Sequence, residues 1–302
     1  MNPPVFSIIM PTYNSAHCVG GAIESIKSQD FDNWELWIID GVSKDETEKV
    51  VNDFSQSDSR IHFVSEKDKG IYDAMNKGIR FATGNWLYFL GSDDRLYNNQ
   101  VLASVAQHLQ NRTSGIVYGN VIMNGSKYDG VFTSEKLLQK NISHQAIFYH
   151  RTVFQLIGLY NLNYKLHADW DFNLRYFTLP EHETYYVDLM IASFGEGGVS
   201  AAHDVDFIRG SLLPRKLAQL SSNVFMLRKI KSFDDWWRLI RNAGIRGDKQ
   251  LEALYGEMQV PRKLKAIANW QSKIPAKLLR MGVVSKAFMC LCYLITLFQS
   301  NR

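Results

Sequence analysis

Two adjacent carboxylates, Asp93 and Asp94, follow the apolar run Asn85-Trp86-Leu87-Tyr88-Phe89-Leu90 by way of Gly91 and Ser92. Carboxylate oxygens on a strand-end turn suit a hard divalent cation, Mg2+ or Mn2+, which prefers oxygen ligands and bridges to substrate phosphates. Three more polar segments follow apolar runs: Pro11-Thr12-Tyr13-Asn14, Asp40-Gly41 and Glu66-Lys67-Asp68-Lys69-Gly70. Any one of them alone reads as turn and cap residues. Four such segments at the ends of successive runs, three of them bearing carboxylates, read as one binding site. No G-x-G-x-x-G follows the first run and no G-x-x-x-x-G-K-[ST] occurs, so neither a dinucleotide fingerprint nor a P-loop is present. Phosphate charge must be met in another way.

Those segments need elements to carry them. Val5 to Met10 is a short β-rich run stopped by Pro11, and Trp34 to Ile39, Ile61 to Val64 and Asn85 to Leu90 are further strands. Between them, Ala16 to Gln29 has helical spacing with Asn14 or Ser15 as N-cap. Ser43 to Phe54 opens with Glu46 in a capping-box position, and Ile71 to Ala82 is a third helix. Strands separated by helices of this length predict a parallel sheet built from right-handed crossovers, hence an α/β fold. In such sheets ligands bind beyond the carboxyl ends of the strands, where the four polar segments fall.

The chain has 302 residues, 46% hydrophobic and 21% charged, enough to bury a sizeable core and to exclude wholesale disorder. Cys18, Cys290 and Cys292 form no C-x-x-C pair, which excludes a disulfide framework and a zinc ribbon and suits a reducing compartment. Met1-Asn2-Pro3-Pro4 shows no secretory signal pattern. The net charge of +4 is unevenly spread. Residues 207–302 carry 18 Lys and Arg against 5 Asp and Glu, leaving 16 basic and 25 acidic residues in 1–206. The expected organisation is an acidic body, 1–206, and a basic helical tail, 207–302, that seeks an anionic surface.

Pro11-Thr12-Tyr13-Asn14-Ser15, Ile39-Asp40-Gly41-Val42-Ser43-Lys44-Asp45-Glu46-Thr47 and Ser92-Asp93-Asp94 together resemble the nucleotide-sugar signature of family 2 glycosyltransferases. The stretch from Glu66 to Gly78, with Ser143-His144-Gln145 and Ala168-Asp169-Trp170-Asp171-Phe172, resembles the subgroup of bacterial surface-polysaccharide clusters. The resemblance spans roughly residues 5–205. It implies a GT-A fold with a Rossmann-like, mostly parallel sheet, and an inverting transfer from a nucleotide-sugar, with UDP as the expected nucleotide, to a lipid-linked oligosaccharide or polysaccharide. By position, it implies that Pro11, Thr12, Tyr13 and Asn14 line the nucleotide pocket and that Asp40 bonds the base. Asp68 and Gly70 would close the pocket, Asp93 would face ribose or metal, Asp94 would be the main metal ligand, and Asp169 would be the base. A metal would stabilise charge on the leaving β-phosphate while a carboxylate removes the acceptor proton. Three departures stand out: Gly91 and Ala168 replace acidic residues common in the family, and Met75 replaces an arginine, leaving Lys69 or Lys77 for the charge. A non-catalytic sugar-nucleotide-binding or scaffold protein is the competing class.

Some residues keep two readings. His144 and Gln145 either meet a sugar or serve the structure. Trp170 either stacks on an acceptor sugar or fills core, and His203 either completes a metal or diphosphate site or belongs to a loop. The sequons at Asn111 and Asn141 carry no expected glycan. In the tail, the apolar part from Ala287 to Phe298, with Thr296 tolerated, is 12 residues, at ~1.5 Å per residue too short for a hydrocarbon core of about 30 Å. Upstream, Trp236, Trp237 and Trp270 lie among arginines and lysines, as in an interfacial segment. The expectation is therefore a cytoplasmic protein, peripheral at the inner membrane face. A helical bundle packed on the body is the alternative, and nucleic acid is not expected as a partner because the acidic body opposes it.

Overall fold

The computed structural model describes residues 3–123, 125–128, 130–194 and 204–212. The chain divides into two compact units, 1–202 and 203–302. His203 and all tail residues beyond 212 lie outside the described residues. Among the described residues no helix is long and apolar enough to cross a membrane.

Strands β1 (Phe6–Thr12), β2 (Trp34–Asp40), β3 (Ile61–Ser65) and β4 (Trp86–Phe89) alternate with helices α1 (Val19–Lys27), α2 (Thr47–Ser55) and α3 (Ile71–Phe81). β1 pairs in parallel with both β2 and β4, and β2 with β3, so the α/β expectation holds for this half. The chain leaves β1 first toward β2 and β3, then reaches β4 on the other side. That reversal opens a crevice at the carboxyl ends of β1 and β4.

The second half contributes β5 (Arg95–Leu96), α4 (Val101–Leu109), β6 (Ile116–Met123), β7 (Ser126–Tyr128) and α5 (Ser134–Leu137). After these come β8 (Ile147–His150), α6 (Arg151–Ile157), α7 (Ala168–Phe177) and β9 (Thr184–Ser193). The sheet order is β3-β2-β1-β4-β8-β6-β9-β5, with β7 on β6. Past β4 it is mixed, because β8 runs antiparallel to both β4 and β6.

Every side chain of β1 and β4 is buried. α3 covers β1 and β2 so closely that a Cβ on Gly78 would come 2.4 Å from Ile9 Cγ2. An aromatic cluster of Phe89, Tyr149, Phe154, Tyr160 and Phe172, with ring centroids 4.7 to 6.1 Å apart, seats α7 against the sheet.

Several expected boundaries move. Pro11 does not stop β1, which continues to Thr12 in register with Asp40. Ile9 gives its carbonyl to Leu90 on the β4 side and Thr12 gives its own to Gly41 on the β2 side. Backbone groups alternate along a strand, so Pro11 faces the β4 side beyond the last paired residue, where its missing N–H costs no ladder bond. Neither Asn14 nor Ser15 caps α1 with its side chain: the Ser15 carbonyl closes a turn to Cys18 and Val19, and Asn14 accepts from Lys44 N. Ser43 and Glu46 do not build a capping box either. Asp45 accepts from Thr47 N–H at the start of α2, while the Ser43 side chain is spent on Asp40.

Candidate active site

The three parallel strands β1, β2 and β3 deliver Tyr13, Gly41 and Asp68 to one place. A Cβ on Gly41 would lie 2.7 Å from Asp68 Oδ2 and 3.3 Å from the Tyr13 ring. The recess therefore tolerates no side chain at 41, and Tyr13, 60% exposed, offers its ring to whatever enters. Gly70, with φ of +120°, takes a conformation open to glycine and turns this loop into α3. Beside the recess, Asn14 (φ +50°) donates its backbone N–H to Ser43 Oγ, and its side-chain Oδ1 accepts from Lys44 N–H, joining the two loops.

Asp40 lies beneath, only 1% exposed. Thr12 Oγ1 (3.3 Å) and Ser43 Oγ (2.5 Å) donate to its Oδ1, and Ser43 N (2.9 Å) and Ser65 Oγ (2.8 Å) donate to its Oδ2. Four donors fill the lone-pair sites of a carboxylate. Asp40 thus organises the floor of the recess from Thr12, on β1, and Ser65, on β3.

At the end of β4, Asp93 is exposed and Asp94 is buried. An ideal Cβ on Gly91 would meet Asp94 Oδ2 at 2.5 Å and Asp93 Oδ1 at 2.9 Å, so both carboxylates converge on the space that Gly91 leaves. An acidic residue at 91 would crowd this pair. Burial pushes the nearby Cys18 thiol up, and the negative charges of Asp93, Asp45 and Asp94 push it further. Two convergent carboxylates in a negative field form an oxygen donor set that fits a hard divalent cation, with remaining positions left for phosphate and water.

Asp169 enters from the first turn of α7 and is 6% exposed. Tyr72 Oη donates to its Oδ1 at 2.7 Å and Asn141 Nδ2 to its Oδ2 at 2.9 Å, and His144 Nδ1 lies 3.6 Å from Oδ2. Burial pushes the Asp169 carboxyl up, but interaction with His144, the Tyr72 hydroxyl and His167 together outweigh it. The group is held below the usual aspartate value and stays ionised at neutral pH.

The two carboxylate centres are bridged by Ser143-His144-Gln145, at the start of a one-turn 3-10 helix (His144–Ala146) that leads into β8. While His144 faces Asp169, Gln145 Nε2 donates to Asp94 Oδ2 at 2.6 Å. Ser143 Oγ donates to Gln145 Oε1, and Tyr88 Oη to the Gln145 carbonyl, so the amide is fixed from behind. Of the two readings of Gln145, a sugar contact or a structural role, the structure shows a bond from its side chain to Asp94. Trp170 gives its indole N–H to the Leu137 carbonyl at 2.7 Å and sits half-buried, edge-on to His167. Of the two lysines considered for the charge of the missing arginine, Lys77 closes its own loop through Glu66 Oε1 and the Lys67 carbonyl, whereas Lys69 is exposed.

Tyr72 and Asn141 escaped the sequence reading. Tyr72 stands in the quoted Glu66–Gly78 stretch and Asn141 two residues before Ser143, but nothing in their spacing says that both point at Asp169. The Asn141 amide is bonded to that carboxylate and to Asn173, which explains why its sequon is structural.

The sequence model of Glycosyl transferase family 2 matches residues 7–174. The chain belongs to this family. A Mycobacterium bovis protein named as a PGL/p-HBAD biosynthesis glycosyltransferase is 45% identical over 206 residues, covering 66% of this chain and 80% of the relative. An Escherichia coli protein, the UDP-Glc:alpha-D-GlcNAc-diphosphoundecaprenol beta-1,3-glucosyltransferase WfgD, is 36% identical over 143 residues, covering 47% of this chain and 55% of the relative. Among solved structures, S. aureus TarS 1-349 in complex with UDP-GlcNAc superposes with a TM-score of 0.61 at 17% identity, covering 95% of this chain and 89% of that one. The glycosyltransferase therefore has the GT-A fold, and every site residue placed above through Asp169 falls within the matched span.

Proposed function

We propose that this glycosyltransferase takes a UDP-sugar and transfers the sugar, with inversion at C1, to a hydroxyl of a lipid-linked oligosaccharide or polysaccharide. The relatives support the reading of the substrates: one is named for a UDP-glucose donor and a diphosphoundecaprenol-linked acceptor, and a structural neighbour was solved with UDP-GlcNAc. The observation that carries the mechanism is the 143–145 segment, where Gln145 bonds Asp94 and the adjacent His144 lies 3.6 Å from Asp169, so that one stretch of chain serves both carboxylates. No observation favours a non-catalytic scaffold.

In this reading the base enters the recess of Tyr13, Gly41 and Asp68. Asp40, its lone pairs filled by serines and threonine, contacts the base only when one hydroxyl turns away. Pro11 and Thr12 fix the strand end, and Gly70 lets the loop close. Asp94, with Asp93, would hold Mg2+ or Mn2+, which when bound supplies Lewis-acid stabilisation of the leaving β-phosphate. Gln145 keeps the Asp94 carboxylate aimed. Asp169 takes the proton of the acceptor hydroxyl as its oxygen attacks C1, on the face opposite the departing diphosphate. The basic tail, with its tryptophans, would hold the enzyme at an anionic membrane surface.

A panel of UDP-, GDP- and dTDP-sugars with Mn2+ tests the donor by thermal shift, since a ligand at 100 times its Kd stabilises by about 2.7 kcal/mol. UDP-sugars should raise Tm, with part of the shift depending on the cation and lost in Asp94→Ala. Stabilisation by GDP- or dTDP-sugars instead, or full transfer activity in excess EDTA, would reject the donor or the metal.

A further inference from the structure

The two oxygens of Asp169 have unlike partners. Tyr149 Oη donates to Asn173 Oδ1, Asn173 Nδ2 donates to Asn141 Oδ1, and Asn141 Nδ2 donates to Asp169 Oδ2. This chain, buried at Tyr149 and Asn173 and part-buried at Asn141, delivers a donor to Oδ2, and both amides would have to turn over before Oδ2 could donate instead. Oδ1 faces Tyr72 instead. The Tyr72 hydroxyl lies 2.7 Å from Oδ1 and 2.8 Å from the Leu166 carbonyl, with a single proton to give to one of two acceptors.

We propose that Tyr72 is a reversible positioning residue for the proton-accepting step, and that Asp169 receives the acceptor proton on Oδ1. The proposal rests on the reading of Asp169 as the base. Before transfer, Tyr72 donates to the Oδ1 carboxylate. During transfer the acceptor O–H bond breaks, its oxygen forms the bond to C1, and the C1–O bond to the β-phosphate breaks, with the electron pair leaving on the nucleoside diphosphate. The proton stays on Oδ1. Tyr72 then turns its own proton to the Leu166 carbonyl and accepts from the new carboxylic acid. Both protonation states are hydrogen-bonded without movement of a heavy atom, whereas a proton on Oδ2 would oppose the Asn141 donor. The titratable groups facing Asp169 are Tyr72 from α3, His144 from the 3-10 turn, His167 beside α7, and the buried phenols Tyr149 and Tyr160. Among these, only Tyr72 has its hydroxyl shared between Asp169 and a backbone carbonyl.

Tyr72→Phe keeps the ring against Tyr160 and removes the switch. In the wild type, Asp169 should add no acid limb to kcat/KM for the acceptor from about pH 8 down to about pH 5, because its carboxyl is held below the usual aspartate value. In Tyr72→Phe, kcat should fall about tenfold and an acid limb should appear within that range, with nucleotide Kd unchanged. A ring-fluorinated tyrosine at 72, which keeps shape and is the better donor, should retain the wild-type profile and rescue most of kcat. This arm decides the matter if the Phe variant folds poorly. An unchanged profile and kcat within twofold of wild type in Tyr72→Phe, while Asp169→Asn is inactive, would overturn the role of Tyr72 alone. Full turnover by Asp169→Asn would overturn the reading of the base and this proposal with it.

Discussion

Gln145 shows how little residue type alone says about role. In sequence it is a polar neighbour of His144, as apt for a sugar as for anything else; in the fold its amide is wedged between Ser143 and Asp94. Gln145→Leu has similar volume and no donor, so Asp94 loses its fixed rotamer. A carboxylate that orients a cation through such a partner loses on the order of 10–100-fold in metal affinity when the partner goes. Titration of activity with Mn2+ should therefore show a much weaker half-saturation with acceptor KM little changed. A rise in acceptor KM with unaltered metal response would return Gln145 to a sugar subsite. Asp94 and Asp169 were legible because acidic residues at a strand end and in a recognised segment announce chemistry. Tyr72 and Asn141 were not, because a hydroxyl and an amide gain their meaning only from the carboxylate they reach 97 and 28 residues away.

At the scale of elements, the parallel half of the sheet was readable from alternating apolar runs and helical spacing, and the strands fall within a residue or two of expectation. The starts of α1 and α2 were not, whereas α3 begins at Ile71 as expected. Asn14, Ser15 and Ser43 look like caps because short polar side chains cap helices, but here the Asn14 side chain is taken by Lys44 N–H, that of Ser15 by the Tyr13 carbonyl and Ser92, and that of Ser43 by Asp40. The opposite end of the sheet carries its own buried carboxylate, Glu35 on β2, which accepts from Ser7, from the N–H and hydroxyl of Thr83 and from Gly84 N–H. Burial pushes Glu35 up, yet the bonds from Ser7 and Thr83 prevail and hold it below the usual glutamate value. A depressed folded value adds stability above the unfolded pKa and loses it as pH falls through the folded one. Glu35→Gln should cost about 1–3 kcal/mol at pH 7. Measured by denaturant melts, the gap to wild type should hold from about pH 8 to about pH 5 and shrink below about pH 4. A gap independent of pH would mean the carboxylate charge contributes nothing.

For the molecule as a whole, charge is the feature composition reveals and fold does not: the first 206 residues are net acidic, whereas 207–302 hold 18 basic against 5 acidic residues. Each well-placed Lys or Arg near anionic lipid contributes about 1 kcal/mol, decaying over a Debye length of roughly 8 Å. Were residues 281–302, with their apolar run from Ala287 to Phe298, to insert, they would add a term that salt does not screen. Binding to anionic liposomes should weaken with salt without vanishing, and deletion of 281–302 should make it fully salt-reversible. A full-length protein that ignores such liposomes at low salt would assign the tail to packing or assembly instead. The central claim, however, is that Asp169 is the proton acceptor in a transfer whose donor is held at a separate site. Its most direct test is Asp169→Asn, assayed for sugar transfer and, on the same sample, for UDP affinity. Base catalysis contributes on the order of 10²–10⁴ in rate, so turnover should fall by at least about 100-fold with UDP affinity unchanged within about threefold. Turnover above about a tenth of wild type, with UDP still bound, would contradict it.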